Sequence, residues 1–575
     1  MSGRHIRHSW DAPELPAAPR RTGLFGRRAV RIPVIIVGVL SLCGLATVVV
    51  RGVSADADGC GSAGIKLTVA ADPAIAPALT EIGNRWSATN PLVGEDCVRV
   101  EVVAKPSYQL ANSLGTWAGG NIDVADKPAP TPQDSELPVV WVPDSTYWLG
   151  RVRGVDRDLF EADAPSVAAS PVVLAVPETV ARQLGDKVKG GIDAPLLKQM
   201  LFAKPSALKL GVVEPRRDTA GMVGAMMLSD AVVAQEKDLP NLVGVYRAIG
   251  GPVPDVEALW KAYAAGLTAA PVSEQSVIAY NAKAKAPMAA VTLAEAPTLD
   301  FPFAVRSRQP RPLATAAAMF SQAVRGGEYK SVFAENGLRS PDGQVSTGFP
   351  TGHGITSAGV FVQPLADMNK VRGAMTVWVA AKTPSRVIAL VDATSSMGRT
   401  MTGGGNTAVR MQVLRSAAEN GLRLFTDDSE LGLWAFAGKG HVPLVPLGEL
   451  TRSQRSKLLT AVRQAAPQPT DVSPLYQSVI AGYRELLKGY DPARSNTLVV
   501  FTDGRDGSGM ALRTVQKELE KLADVTKPIR VVLLGLGPDV KLADLQAVAD
   551  TTGGVAFQVT DPAQMETIFL RALLA

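Results

Sequence analysis

Residues 387–398 read VIALVDATSSMG, and this stretch decides the fold of the last third of the chain. The apolar run predicts a buried β-strand, which is too short to span a membrane and leads directly into one acid and three hydroxyls. Asp392, Thr394 and Ser396 stand two residues apart, and alternate residues just past a strand end can point the same way. Because hard cations such as Mg²⁺ favour oxygen ligands, these three side chains predict a cation-binding loop.

Two more polar clusters and a regular alternation of strands and helices surround this loop. The first cluster is Thr470-Asp471-Val472-Ser473, and the second, Thr502-Asp503-Gly504, ends an apolar run that begins at residue 496. Further strands are predicted at 430–438, 528–537 and 555–559, and helices at 406–425, 453–465, 511–523 and 562–574. This alternation favours a parallel sheet, in which carboxylates at neighbouring strand ends lie in the crevice that binds ligands.

Residues 384–575 resemble a von Willebrand factor type A domain with its metal-ion-dependent adhesion site. Asp392, Thr394 and Ser396 match the family motif Asp-x-Ser-x-Ser, with threonine in place of the first serine, and Asp503 matches the distant aspartate. The family's separate threonine ligand falls at Ser473, with Thr470 as the alternative. The resemblance implies a Rossmann-like, doubly wound α/β domain that binds Mg²⁺, or another divalent cation such as Mn²⁺ or Ca²⁺.

The resemblance also implies a way of binding a partner. Thr394 (or Ser396) and Ser473 would contact the cation directly, and Asp392 and Asp503 would hold it directly or through water. An acidic side chain from a protein partner would complete the coordination. Two protein carboxylates leave a divalent cation about neutral, so a third carboxylate is electrostatically favourable.

Residues 65–345 predict another α/β domain. Apolar runs predict strands at 65–71, 97–104, 138–142, 170–177 and 208–213, each followed by a helix-like segment. The pattern favours a largely parallel sheet.

This second segment resembles the extracellular solute-binding proteins, which have two lobes and a periplasmic-binding-protein-like fold. The resemblance rests on the opening strand followed by Asp72-Pro73 and a helix, and on the sequences at 169–173, 214–221, 274–275 and 333–343. It implies a cleft in which a small molecule binds at helix N-termini, with Asp72, Ser145 and Thr219 as candidate cleft residues. Asp72 already places a carboxylate at the first helix end, which argues against an oxyanion there. The alternative role of Ser145 and Thr219 is to cap helices or turns.

The amino terminus predicts a membrane anchor. Residues 1–31 hold seven arginines against two acids, and so carry the whole formal net charge of +5 of the 575-residue chain. The uncharged apolar run 32–50 is close to the roughly 20 residues that cross a bilayer, and the arginines place the tail 1–31 in the cytoplasm. A cleavable secretory signal and a lipoprotein signal at Cys43 are the alternatives; the run is long for the first, and the bulky Leu42 disfavours the second. Residues 51–64 predict a linker, and residues 346–383 a connector with a short helix at 363–380.

Cysteine and histidine are scarce beyond the predicted anchor. Cys60 and Cys97 are predicted to form a disulfide in the oxidising exterior, with two buried free thiols as the alternative. The other exterior candidates for soft metal ligands are His353 and His441, so a cysteine- or histidine-rich zinc site is not expected.

Charge and motifs together favour a binding function over an enzymatic one. The charge beyond residue 31 is balanced, which argues against a nucleic-acid-binding body. The sequence holds neither a Gly-x-x-x-x-Gly-Lys-Ser/Thr loop nor a Gly-x-Ser-x-Gly motif, so we do not expect an enzyme. We predict a single-pass cell-membrane protein whose extracellular bulk mediates adhesion or protein interaction. The alternative is a solute-binding sensor or transport receptor whose cleft domain recognises a small ligand.

Overall fold

The computed structural model describes residues 64–188, 190–203, 208–235, 238–365 and 367–574. The predicted basic tail, the predicted membrane span and the linker up to residue 63 lie outside the described residues. Within the described ranges, no helix has both the length and the apolar character needed to cross a bilayer. The anchor at 32–50 therefore stays a prediction.

The N-terminal domain alternates short strands and helices from residue 65 onward. Its strands are β1 (Ile65–Ala71), β2 (Leu92–Val93), β3 (Asp96–Ala104), β4 (Val140–Val142), β5 (Ser170–Pro177), β6 (Ala270–Ser273), β7 (Met288–Thr292), β8 (Thr298–Leu299) and β9 (Ala304–Val305). Its helices are α1 (Ala76–Ala88), α2 (Ser107–Trp117), α3 (Thr146–Arg153), α4 (Glu178–Leu184), α5 (Ala194–Phe202), α6 (Thr219–Val232), α7 (Leu239–Ala248), α8 (Val256–Ala264), α9 (Glu274–Asn281), α10 (Arg311–Arg325), α11 (Lys330–Glu335) and α12 (Met368–Lys382).

Two separate sheets give this domain its two lobes. The first sheet has the order β2-β3-β1-β4-β9, and its central pairs β1–β3 and β1–β4 are parallel. β1 takes the centre because its apolar residues, among them Leu67 and Val69, are fully buried between flanking helices. The strands predicted at 65–71 and 170–177 are confirmed residue for residue as β1 and β5.

The second sheet corrects the prediction of a largely parallel sheet. β5 lies between β6 and β7 and also pairs with β8, and all three pairings are antiparallel. The segment predicted as a strand at 208–213 makes only isolated bridges, Leu210 with Ala269 and Val213 with Val253. The alternation of apolar runs and helical segments shows where strands occur, but it carries no information about their direction.

Helix α12 packs into the N-terminal domain. It lies against α6 and α7, and its fully buried Trp378 meets Tyr246 edge-on, with ring centroids 5.1 Å apart. The helix predicted inside the connector therefore contributes to the core of the domain that precedes it.

The C-terminal domain begins at residue 385 and has a single main sheet. Its strands are β10 (Ser385–Asp392), β11 (Thr400–Gly403), β12 (Asn406–Val409), β13 (Glu430–Ala437), β14 (Gly440–Glu449), β15 (Ser495–Thr502), β16 (Arg530–Leu536) and β17 (Val555–Val559). Its helices are α13 (Arg410–Gly421), α14 (Arg452–Gln464), α15 (Leu475–Lys488), α16 (Leu512–Leu522), α17 (Leu542–Asp550) and α18 (Met565–Leu574).

The main sheet has the order β14-β13-β10-β15-β16-β17, and every pair is parallel except β13–β14. β10 alternates its side chains between two cores: Val387 and Val391 pack with α13, α14 and α18, whereas Ile388 and Leu390 pack with α15, α16 and α17. Helices therefore cover both faces, as expected for a doubly wound sheet.

Two features of this domain differ from the sequence-based expectation. Residues 406–409, expected to open a helix, instead form β12, which pairs with β11 in a small hairpin, and the helix begins at Arg410. The edge strand β14 was not predicted, because its prolines interrupt the apolar pattern.

Candidate metal centre

The candidate metal centre lies where the strand order reverses. In the main sheet, β13 pairs with one edge of β10, and β15, which comes later in the chain, pairs with the other edge. Asp392 is the last residue of β10, Thr502 is the last residue of β15, and Asp503 follows it. Because β10 and β15 are adjacent and parallel, their carboxyl ends meet at the crevice where open α/β sheets place ligands.

The side chain of Asp392 organises the first loop. Its Oδ1 accepts hydrogen bonds from the backbone N–H of Thr394 (2.9 Å) and from the Thr394 hydroxyl (2.6 Å). The hydroxyl oxygens of Thr394 and Ser396 lie 2.9 Å apart. The three residues predicted from the spacing therefore converge, and all three are buried.

Ser473, rather than Thr470, meets this cluster. The Ser473 hydroxyl donates to Oδ2 of Asp392 at 3.1 Å, and Ser473 is buried. The Thr470 hydroxyl instead accepts from the backbone N–H of Val472 within its own loop (3.3 Å). The hydroxyl of Thr502 also donates to Oδ2 of Asp392 (2.9 Å), a fourth hydroxyl that the motif match did not include.

Backbone hydrogen bonds hold the loops that carry these side chains. The N–H of Ser395 donates to the carbonyl of Thr470 (2.8 Å), and the N–H of Gly507 donates to the carbonyl of Ser473 (2.6 Å). The loop that holds Thr470 and Ser473 is thus bonded to the loop after β10 and to the loop after β15. These bonds hold the candidate ligand side chains in place without a bound cation.

Asp503 has a buried cationic partner. A guanidinium nitrogen of Arg410 lies 3.5 Å from Asp503 Oδ2, and the side chains are 4% and 3% exposed. A second guanidinium nitrogen lies 3.5 Å from Oδ2 of the more exposed Asp539, and Nε of Arg410 is buried without a hydrogen-bond partner. Sequence reasoning missed Arg410, because one arginine at the start of a helix carries no pattern of its own.

Glycine at position 537 makes room for this guanidinium. A Cβ added there would lie 2.6 Å from an Arg410 nitrogen, and the φ of Gly537 is +107°, which favours glycine. The close approach of backbone to guanidinium fixes Arg410 beside Asp503.

The net charge of the candidate metal centre differs from the sequence-based expectation, which counted two carboxylates and no buried cation. Burial raises the pKa of Asp392 above its ordinary value, and the charge of Asp503 adds to this, while hydrogen bonds from Thr394 and Thr502 act in the opposite direction. Counting the buried side chains Asp392, Asp503 and Arg410, and leaving out the exposed Asp539, the ionised centre carries one net negative charge. A divalent cation would make it net positive by one.

The donor set suits a hard cation. Within the described ranges, no group of three or more His, Cys, Asp and Glu side chains is placed to hold a metal ion. The centre instead offers two carboxylates and several hydroxyls, an all-oxygen set of low charge that fits Mg²⁺, Mn²⁺ or Ca²⁺ better than thiophilic metals.

The three predicted cleft residues lie around Asp144: Asp72 connects to it through Ser107, Thr219 contacts it directly, and Ser145 is the next residue in the chain. Asp72 Oδ2 accepts from the hydroxyl of Ser107 (2.7 Å), and that hydroxyl accepts from the backbone N–H of Asp144 (2.9 Å). The Thr219 hydroxyl donates to Oδ1 of Asp144 (3.0 Å) and accepts from Nε1 of Trp148 (2.9 Å), so it joins the two lobes. Ser145 caps α3 by accepting from the N–H of Tyr147 (3.2 Å), which was its alternative role.

Buried carboxylates line this meeting point of the lobes. Burial, reinforced by the charges of Asp72 and Asp218, holds the pKa of Asp144 well above its ordinary value. Burial also raises the pKa of Asp218 to about 6. Such a site disfavours an anion, in line with the expectation drawn from Asp72.

Cys97 is buried in β3, whereas Cys60 lies outside the described residues. The Cys60–Cys97 disulfide therefore stays a prediction.

Family comparisons agree with the suspected order of domains. Residues 67–339 match the bacterial extracellular solute-binding protein family, and residues 387–571 match the von Willebrand factor type A domain. The resemblances stated from the sequence are thereby confirmed for both segments.

The relatives and solved structures that resemble this chain do so at low sequence identity. Uncharacterized proteins from two strains of Mycobacterium tuberculosis are each 26% identical over 589 residues, covering 92% of this chain and 80% of the relative. A von Willebrand factor type A protein from Catenulispora acidiphila is 16% identical with a TM-score of 0.27 and covers 33% of this chain; this chain spans 42% of that protein, less than half its length. A periplasmic thiamin binding protein is 11% identical with a TM-score of 0.39, covering 56% of this chain and 97% of that protein.

Proposed function

From the joining of a bacterial extracellular solute-binding protein domain to a von Willebrand factor type A domain in one chain, we propose a membrane-anchored extracellular binding protein. Its type A domain binds a divalent cation, and through that cation it engages an acidic group of a protein partner. The protein acts by binding and not by catalysis.

The convergence of the predicted ligands carries this proposal. Hydrogen bonds link Asp392, Thr394, Ser396 and Ser473 at the carboxyl end of β10, and Asp503 follows the neighbouring strand end of β15. Thr394 or Ser396 and Ser473 would hold the cation through their hydroxyls, and Asp392 and Asp503 would hold it directly or through water. The bound cation supplies a coordination position for an outside oxygen.

Charge balance supports an acidic partner. Arg410 offsets one of the two carboxylates, so the centre with a divalent cation is net positive. A carboxylate from a partner would restore neutrality in a buried setting, where an uncompensated charge costs more than in water.

The membrane anchor belongs to the same proposal. The apolar run 32–50 and the seven arginines before it would hold the chain at the cell membrane, with the candidate metal centre on the outer side.

A peptide array tests this function with the full chain. Peptides ending in Asp or Glu are compared with matched Asn and Gln peptides, in Mg²⁺ and in EDTA. We expect Mg²⁺-dependent retention of the acidic peptides, lost in Asp392→Asn and kept in Glu520→Gln, which removes an exposed carboxylate on α16. Acidic-peptide retention that persists undiminished in EDTA and in Asp392→Asn contradicts the proposal.

The family match of residues 67–339 favours a second function, recognition of a solute by the cleft domain. A neutral or cationic solute suits the acidic meeting point of the lobes better than an anion does. The test is thermal unfolding of the full chain with panels of amino acids, sugars and polyamines. A fragment ending at residue 345 would lack α12 and uncover Tyr246, so the full chain is the better sample. A Tm increase that is lost in Thr219→Val supports this role, and no increase with any panel contradicts it.

A further inference from the structure

A cavity of about 660 Å³ lies where α3, α12 and the C-terminal domain meet. α3 contributes Tyr147, Gly150 and Arg151 to its wall. Ser385, Ser495 and Arg530, the first residues of β10, β15 and β16, form the opposite side. This interdomain cavity contains none of the candidate metal ligands, it adjoins the meeting point of the lobes through Tyr147, and its volume is typical of a pocket for a small organic molecule.

The charges of the lining are mostly positive. Arg151, Arg216, Arg372 and Arg530 face a single acid, Asp123. Asp123 is already engaged, because Arg216 lies 3.5 Å from its carboxylate. Arg216 also pairs with Glu214, at 2.8 Å. An anion therefore has little competition from the protein's own carboxylates.

Three of the four guanidiniums, those of Arg151, Arg372 and Arg530, form no ion pair in the part of the chain that the structure describes, and Arg151 instead donates to the backbone carbonyl of Asp123. Arg530 donates to the hydroxyl of Ser495 (3.0 Å) and is otherwise half-buried, and this burial lowers the pKa of its guanidinium. Arg372 projects from α12 and forms no ion pair with the described residues. A half-buried guanidinium held only by a neutral hydroxyl retains donors for a ligand.

The remaining wall is apolar. Met368, Val371, Met375 and Val379 recur at helical spacing along one face of α12 and line the interdomain cavity. A ligand that fits this cavity has an anionic group, which pairs with the arginines, and an apolar part, which packs against the α12 face.

We propose that the interdomain cavity binds a small organic anion, with a carboxylate, sulfonate or phosphate held by Arg372 and Arg530 and an apolar part packed on α12. Such a ligand contacts the N-terminal domain and the C-terminal domain at once, so its binding stabilises one arrangement of the two. Binding of the anion requires neither the cation nor the adhesion partner.

The probe that tests it is 1-anilinonaphthalene-8-sulfonate, a fluorescent aromatic sulfonate, with N-phenyl-1-naphthylamine as the uncharged analogue. Binding to the full chain is followed by fluorescence titration at low and high salt. The charge variant is Arg372→Gln combined with Arg530→Gln, and Arg513→Gln, which removes an exposed arginine on α16, is its matched control. Gly150→Phe is the steric variant, because Gly150 lines the interdomain cavity and an added Cβ would have no atom within 4 Å.

We expect saturable sulfonate binding that weakens at least tenfold in the charge variant and at high salt, is lost in Gly150→Phe, and is unchanged in Arg513→Gln. The uncharged analogue should bind at least tenfold more weakly. An unchanged thermal transition in Gly150→Phe shows that loss of binding there reflects a filled cavity and not an unfolded chain. Sulfonate binding that is equal in all variants, or equal for the two probes, overturns the proposal.

Discussion

Replacing Arg410 by glutamine tests the electrostatics of the candidate metal centre. The substitution removes the buried cation beside Asp503 and leaves a shorter, uncharged side chain that can still donate hydrogen bonds. At the observed 3.5 Å and an effective dielectric constant of about 20, the gross attraction between the two charges is about 5 kcal/mol. Breaking a buried ion pair costs roughly 3–5 kcal/mol, because it leaves the other charge uncompensated. We therefore expect Arg410→Gln to lower the free energy of unfolding by about 3 kcal/mol in EDTA.

A divalent cation should reverse this loss. In Arg410→Gln the carboxylates of Asp392 and Asp503 are no longer offset by a positive charge, so Mg²⁺ should bind at least about tenfold more tightly, or about 1.4 kcal/mol. Because a ligand that binds only the folded state stabilises it, the increase in Tm on adding Mg²⁺ should be larger in the variant than in the unmodified protein.

The assay combines thermal unfolding in EDTA and in Mg²⁺ with calorimetric titration of Mg²⁺ and Mn²⁺. Arg513→Gln serves as the control, since Arg513 is exposed on α16. Equal stability in EDTA together with an unchanged Mg²⁺ affinity in Arg410→Gln would refute the view that Arg410 and the cation compete for the same carboxylate.

In calorimetric titration, Ser473→Ala should weaken Mg²⁺ binding by about tenfold or more and Thr470→Ala should not, because of these two hydroxyls only that of Ser473 contacts Asp392. The pKa of Asp218 is about 6 in the folded protein against 3.8 for the ordinary side chain, so the folded state holds the extra proton and stability should fall as pH rises from about 4 to above 6. Asp218→Asn should make this fall shallower and gain up to about 3 kcal/mol at neutral pH in chemical unfolding; an unchanged pH profile would contradict it. In the N-terminal domain, Arg339 and Glu274 form a buried ion pair at 2.6 Å, whereas Arg85 and Glu81 form an exposed one on α1. Urea unfolding should show that Arg339→Met costs about 3–5 kcal/mol, because Glu274 is left buried and unpaired, and that Arg85→Met costs less than about 1 kcal/mol.

Several elements could be predicted from the sequence because their signals are local. β1, β5 and β10 are apolar runs bounded by turn formers or polar residues, so burial alone sets their ends. The convergence of Asp392, Thr394 and Ser396 follows from their spacing past a strand end, and Ser473 and Asp503 follow from the motif match. These inferences need only the geometry of one strand or one loop.

The features that sequence reasoning missed depend on contacts between distant segments. The antiparallel pairing of β5 with β6 and β7 is decided by how the chain returns across the second lobe. Arg410, at the start of α13, lies beside Asp503, which follows β15, although the two residues are 93 positions apart in sequence. The packing of Trp378 against Tyr246 likewise joins segments that the sequence pattern treats as a connector and a separate domain.

β10 and β15 each have one end at the interdomain cavity and the other at the candidate metal centre. β10 runs from Ser385 to Asp392, which at about 3.3 Å per residue spans roughly 23 Å. At this separation and an effective dielectric constant of about 20, the direct attraction between two unit charges is below about 1 kcal/mol. Stronger energetic coupling must pass through the packing of the strands, and any coupling must be reciprocal: the factor by which the anion changes cation affinity equals the factor by which the cation changes anion affinity.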